Sequence, residues 1–485
     1  MHQKENRFQA NSVFSEDLLP TNTESRTWKF GQFFSVWMGS VHNIPSYVTI
    51  GGFFALGLSI WQVFSIIIIS SIILAALLVL NGHAGGKYGI PFAILLRTSY
   101  GEKGALVPGV LRGVIVAIMW FGLQTYAGSS AVTILIGKFW PDYLLLGKDW
   151  SFFGLNLPGL ISFLLFWGIN VFFIYAGIDS LGKLTKIITP LIFLVFGGMA
   201  IWAIQLAGGI SPILHHPPKG VEGNSIFVFV TCVSAILATW VAQILSVSDI
   251  TRYSRSNKEQ SVGQITGIIA TFLLFAVASI TIITGSEVAF GVPVWNVLDV
   301  IDQFDSKFVI VLSLLTLCLA TLSVNVVGNI IPAANQLTSL FPKRLGFKSS
   351  ALLATIIGFL IMPWRLMESS TSIFAFLNMV GALLSPVIGV MLIHYYVICK
   401  REIHIDELYE FSTHINSPKG INVPAMLATI LAGLISIVCN FVDFLKPLYG
   451  ISSFIGIIVA VILYLSFYYS TKLQTVKSMN ITKRG

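Results

Sequence analysis

The chain has 485 residues, of which 55% are hydrophobic and only 10% charged, and its mean hydropathy is +0.83. A soluble protein of this size could not bury so much apolar surface, even as several domains. The net charge of +8 needs no nucleic-acid partner, because no basic patch with interleaved aromatics is present and the positive residues follow membrane topology instead.

The chain opens on a polar stretch, residues 1–28, with no apolar h-region, so it reads as a cytoplasmic tail and not as a cleaved signal peptide. About twelve apolar runs follow, near 29–56, 58–81, 105–137, 153–177, 185–208, 225–248, 262–285, 308–336, 349–363, 371–398, 422–443 and 447–470. Each can cross a hydrocarbon core of roughly 30 Å. The runs are continuous and do not alternate, which predicts helices and excludes barrel strands. They group as 29–208, 225–398 and 422–470, before a second tail at 471–485. With the N-terminus inside, about 22 of the 29 Lys and Arg residues fall on the inner side. That bias predicts that both termini are cytoplasmic, and the expectation is a multi-pass protein of the cell membrane, a monomer in the lipid bilayer.

The first span contains "GSVHNIPSYV", residues 39–48. Pro45 lacks an N–H and would clash with the carbonyl of Val41 in a continuous helix, so a break is expected here. Such a break leaves backbone groups unpaired in lipid and survives only beside a cavity or inside a bundle. A proline kink with its polar neighbours satisfied by packing is the plainer alternative. His42 is an ionisable side chain near mid-span, whereas Arg112 and Glu287 are expected nearer span ends; a buried neutral imidazole is its plain reading, and a proton carrier its functional one.

The third span reads "AIMWFGLQTYAGSS". Trp120 and Gln124 are four apart and share a helix face. Core packing would explain the Trp, but a buried amide needs hydrogen-bond partners. The sixth span carries Thr239, Trp240 and Gln243 at its middle, and ends at Asp249, which is expected to pair with Arg252 or with loop donors. The eighth span, "LATLSVNVVGNIIPAAN", places Asn325 and Asn329 four apart, near Ser323; interhelical amide bonding is the structural alternative. These polar interruptions recur every five helices, as an inverted 5+5 repeat predicts.

Asn43, Trp120, Gln124, Trp240 and Asn329 together offer two large aromatic faces and three amides without charge. The matching ligand is flat, neutral and rich in adjacent N–H and C=O groups, such as a cyclic ureide or nucleobase. A passive channel would require a continuous polar lining, and the polar groups here cluster at mid-depth. The four cysteines lack CxxC spacing, and no HExxH, GxSxG or Walker-type loop occurs, so neither an enzyme nor a bound cofactor or structural metal is expected.

The loop "GGKYGIPFAILLRTSYG" (residues 85–101), with "HNIPSY", "WFGLQ", "TW…SD" and "NVVGNIIPAAN" in order on their spans, resembles the nucleobase–cation symporter-1 family. Within it the chain looks most like the bacterial allantoin and hydantoin permeases. The resemblance implies an all-α, leucine-transporter-like fold of about twelve helices: an inverted 5+5 repeat with two C-terminal helices appended. It implies cation-coupled alternating access for a cyclic ureide, with allantoin or a hydantoin ahead of uracil or cytosine. It places the ligand between Trp120 and Trp240, held by the amides of Asn43, Gln124 and Asn329. A coupling sodium in this family would meet carbonyls of Gly39, His42 and Ala320, the Ser323 hydroxyl and the side chain at 324. Val324 has no hydroxyl, and a small hard cation wants an oxygen shell, so a proton is the expected coupling ion ahead of sodium.

Overall fold

A computed structural model describes residues 16–176, 178–294, 296–367, 370–409 and 420–482. Residues 1–15 and 483–485, parts of the two expected tails, lie outside the described residues. Apart from a small antiparallel hairpin, Ser151–Phe152 with Leu155–Asn156, the architecture is helical.

The first span is two helices, α1 (Phe30–Val41) and α2 (Ile44–Ala55). The second is α3 (Ile60–Tyr88), followed by a buried connector helix α4 (Phe92–Tyr100). A π-helical stretch at Val110–Val116 leads into α5 (Ala117–Phe139), the third span. Then come α6 (Leu157–Ala176), α7 (Ile178–Leu206), α8 (Ser225–Ser246) and α9 (Asn257–Phe290). The eighth span is α10 (Lys307–Asn325), a second π-helical stretch at Val326–Ile330, and α11 (Ile331–Leu340). The longer helices that follow are α12 (Phe347–Leu360), α13 (Ser370–Ile393), α14 (Val423–Val438) and α15 (Ser452–Thr482), and short helical segments lie between them.

Among the described residues, nine helices are long and apolar enough to cross a membrane, or ten if α14 and the Asp443–Gly450 segment, bent by 106°, count as one span. The other expected spans lie in shorter helices. The first is split in two, and α12 has only 14 residues.

The break in the first span is capped by one side chain. The Asn43 amide donates from Nδ2 to the Ser40 carbonyl (2.8 Å), while Oδ1 accepts from the Ser46 N–H (3.1 Å) and hydroxyl (3.2 Å). It thus serves the orphan carbonyls ending α1 and the orphan donors starting α2. Pro45 sits in the first turn of α2, where a missing N–H costs nothing. The sixth span is not broken in the same way: α8 runs unbroken through Thr239, Trp240 and Gln243. π-helical stretches interrupt the third and eighth spans, and a further one, His394–Ile398, ends the tenth.

One end of the bundle is closed by the described part of the N-terminal tail. Leu18 is fully buried. The Arg252 guanidinium donates to the carbonyls of Asp17 (2.9 Å) and Leu19 (2.6 Å) and to the Thr21 hydroxyl (2.7 Å). Tyr409 donates to the Leu18 carbonyl at 2.7 Å. Asp249 does not hydrogen-bond Arg252. Its Oδ1 accepts from the Phe92 N–H (3.0 Å), at the start of α4, and from the Asn335 amide (2.9 Å) on α11. Burial raises its carboxyl above the usual carboxylate range, and these two donors and the nearby Arg252 and Arg112 charges oppose that rise.

Close backbone approach sets how α3 meets the sixth span. Asn81 donates to the carbonyls of Ile244 (2.6 Å) and Leu245 (3.0 Å), and the Thr251 hydroxyl donates to the Gly82 carbonyl (2.9 Å). A Cβ on Gly85 would lie 2.8 Å from the Ser248 Cα and collide with the Thr251 side chain. Overpacking of this kind costs typically 1–3 kcal/mol, more when the obstacle is backbone. Gly85→Val should therefore lower the thermal midpoint of the detergent-solubilised protein, followed by fluorescence-detected size exclusion after heating. An unchanged midpoint would show that these helices can separate without loss.

Candidate functional site

Of the predicted residues, Asn329 belongs to a chain of buried amides that touches α5 at Thr125, and Trp120 and Gln124 are carried by the same helix. Asn170 on α6 donates to the Phe166 carbonyl (2.8 Å) and accepts at Oδ1 from Asn325 (3.1 Å). Asn325 Nδ2 also donates to the Thr125 hydroxyl (3.0 Å), one residue from Gln124. Asn325 Oδ1 then accepts from Asn329 Nδ2 at 2.9 Å. The chain orients Asn329: its donor is occupied, and its Oδ1 is buried without a partner among the described residues. Gln124 Oε1 and the Trp120 indole N–H are in the same condition. Two acceptors and one donor therefore stand desolvated and unpaired. Left so, each costs roughly 1–3 kcal/mol, and a ligand with complementary groups removes that cost.

Trp240 stands on the other side, on α8. Its ring meets Trp37 edge-on (6.0 Å between centroids) and Phe272 (6.0 Å), while Trp120 meets Phe376 (5.3 Å). A narrow cavity beside Trp240 is walled by Ser46, Thr49 and Thr239 and by Phe272 and Phe275. Trp120, Gln124 and Asn329 are not part of that wall. Asn43 is buried nearby in sequence, but both ends of its amide are engaged within the break.

The positions named for a cation also divide. A Cβ on Gly39 would lie 3.6 Å from the Ser323 hydroxyl, so the end of α1 and the middle of α10 do meet. Ser323 Oγ and the neighbouring Thr321 Oγ1 are buried without partners. Ala320 is fully buried on the same helix. Val324 adds no oxygen. The His42 ring lies 4.5 Å from Phe196 and 5.7 Å from Phe275, and neither of its nitrogens has a hydrogen-bond partner.

Arg112 lies near the start of the third span, Leu106–Phe139, as expected, but it faces the interior. Its side chain is wholly buried. Nε donates to the Ala242 carbonyl (2.5 Å), and Nη2 to the Gly328 carbonyl (2.7 Å) and the Ser246 hydroxyl (2.8 Å). It joins the third, sixth and eighth spans. Asn170 was also missed by the sequence reading. A lone amide inside "LLFWGINVFFIY" was its signal, and its partner Asn325 lies 155 residues away.

A family described as permeases for cytosine/purines, uracil, thiamine and allantoin matches residues 20–456. A protein of Escherichia coli (strain K12) is 48% identical over 453 residues, covering 92% of this chain and 93% of that one. The allantoin permease of Bacillus subtilis (strain 168) is 45% identical over 466 residues, covering 96% and 95%. A solved nucleobase-cation-symport-1 family transporter, in a closed conformation with bromovinylhydantoin bound, superposes with a TM-score of 0.79 at 22% identity, over 95% of this chain and 97% of that one. That superposition shows the shared fold, to which other cation-coupled symporters also belong.

The amide chain generates a test. Asn325→Leu keeps volume but releases the Asn329 donor, so Asn329 can turn and satisfy itself elsewhere. Ligand affinity should fall about tenfold, the equivalent of one hydrogen bond of about 1.4 kcal/mol, as measured by competition binding on the purified protein. Unchanged affinity would mean that Asn329 needs no orientation.

Proposed function

The chain belongs to the family of permeases for cytosine/purines, uracil, thiamine and allantoin, and from that premise we propose that it imports allantoin, or a closely related hydantoin, by cation-coupled alternating access. The observation that carries this reading is the unpaired set of the Trp120 N–H, Gln124 Oε1 and Asn329 Oδ1. These groups are neutral, and they match the alternating N–H and C=O edge of a cyclic ureide. An amino acid or a sugar phosphate would instead require charged partners. In this reading Trp120 and Trp240 flank the ring plane, and Gln124 and Asn329 read its edge. Asn43 builds the break that exposes the ends of α1 and α2, and reaches the ligand only by giving up a cap bond.

The coupling ion proposed is a proton ahead of sodium. Gly39, Ala320 and Ser323 supply part of an oxygen shell, but Val324 leaves it one ligand short. A neutral His42 ring keeps one nitrogen able to accept a proton, and its ring neighbours Phe196 and Phe275 are aromatic, so the proton would have to arrive with water as the break hydrates. The excess of basic residues on one side of the spans supports cytoplasmic termini, and the N-terminal segment would then close the cytoplasmic end.

Uptake of labelled allantoin into cells, competed with hydantoin, uracil and cytosine, tests the substrate. Allantoin should compete best, and Trp120→Ala and Gln124→Ala should each abolish saturable uptake at normal membrane expression. Stacking on an aromatic is worth roughly 1–3 kcal/mol by alanine substitution. Wild-type affinity in both variants would place the site elsewhere. For the ion, uptake should rise at acidic external pH, fall with a protonophore and change little when choline replaces sodium. A strong saturable sodium requirement would show that Ser323 and the backbone carbonyls suffice.

A further inference from the structure

Gln243 lies three residues, nearly one helical turn, beyond Trp240 on α8, so the two side chains share a face. Its Oε1 is buried without a partner, as are those of Gln124 and Asn329. Its side chain lies over the backbone of Gly328: a Cβ on that glycine would come within 3.2 Å of Gln243 Nε2 and 3.5 Å of its Cγ. Gly328 immediately precedes Asn329. The absence of a side chain at 328 therefore lets the Gln243 amide lie against the backbone one residue before the asparagine expected to read the ring.

The same two backbones are held by Arg112. Its guanidinium takes the carbonyl of Ala242, the residue before Gln243, and the carbonyl of Gly328, the residue before Asn329. The arginine and one of the two backbones it holds lie in irregular helix, while Ala242 lies in the regular α8. Arg112 lies in the π-helical stretch Val110–Val116, and Gly328 in the stretch Val326–Ile330. A π-helical register shifts the backbone ladder, which frees carbonyls for outside donors and is frequent at functional sites. A planar fork that donates in fixed directions sets the spacing of the two strands of helix it joins, which a lysine point charge cannot do.

We propose that Gln243 is a further substrate-recognition residue, reading an exocyclic N–H donor carried beyond the ring edge, and that Arg112 positions Gln243 and Asn329 relative to each other. The proposal rests on the ureide reading above. A free amide carbonyl selects for N–H. Allantoin differs from bare hydantoin by its ureido arm, which carries such donors. Gln243 is thus the group that separates the arm-bearing ureide from the ring alone, while Trp120, Gln124 and Asn329 recognise what both share.

The experiment compares the apparent KM for allantoin uptake with the inhibition constant of unsubstituted hydantoin, at matched surface expression. Gln243→Met should raise the allantoin KM about tenfold or more and move the hydantoin constant less than about twofold. Gly328→Ala, which crowds the Gln243 amide, should lose selectivity in the same direction. Arg112→Lys should weaken both ligands, because Asn329 shifts with Gln243. In that background Gln243→Met should add less than about twofold to the allantoin-to-hydantoin ratio, a coupling that a merely structural arginine would not produce. Should Arg112→Lys fail to reach the membrane, the Gly328→Ala variant tests the same juxtaposition. Equal losses on both ligands in Gln243→Met, or no loss on either, would overturn the recognition role. Independent effects in the double variant would overturn the positioning role. A wild type that transports a ring compound other than allantoin overturns the ureide reading alone if that compound carries an exocyclic N–H and Gln243→Met weakens it; a wild type that takes only bare rings overturns both.

Discussion

A helix interrupted in the middle of a membrane span must find partners for the backbone groups it releases, and that constraint organises this protein. At His42–Asn43 one amide serves both broken ends, so the break persists without water. Because α1 stops there, Gly39 can meet Ser323 closely, and α2 can begin with its proline where no N–H is needed. The cavity beside Trp240, walled partly by Ser46 and Thr49 of α2, exists because the chain changes direction at that point.

A second consequence of the dry interior concerns polar side chains. Several that build structure are satisfied: Asn170 and Asn325 bond each other and the backbone, and Asn81 closes the end of α8, while Asp249 takes donors from α4 and α11 on one carboxylate oxygen only. The unpaired set is spread more widely, from Ser70 on α3 to Ser385 on α13, and it includes Trp120, Gln124 and Asn329, where the proposed function puts a ligand. The satisfied set also makes the unsatisfied one rigid, and rigidity lets a few neutral hydrogen bonds discriminate between similar rings.

The third and eighth spans, five apart, both carry π-helical stretches, and Arg112 from one reaches Gly328 in the other. The sixth span, five after the broken first, is continuous through its polar residues. Equivalent positions in the two halves thus solve the same problem differently. One opens the chain and caps it with Asn43, and the other keeps the helix and takes its irregularity from neighbours.

Composition alone decided the class of this protein, because hydrophobicity summed over hundreds of residues leaves no soluble alternative. Local pattern decided the break, since Pro45 and the polar run around it have few conformations open to them. Helical spacing paired Trp120 with Gln124 and Asn325 with Asn329, because a turn of 3.6 residues is a local property. Which amide stays free was beyond local reasoning. Asn43 looked like a ligand-facing amide, and the structure turns it onto its own backbone. Arg112 looked like a residue near a span end, and it holds carbonyls 130 and 216 residues away. A buried polar atom is free or satisfied according to what other spans bring to it. Those partners are set by helix packing at long sequence separation, which is why only the tertiary structure could assign them.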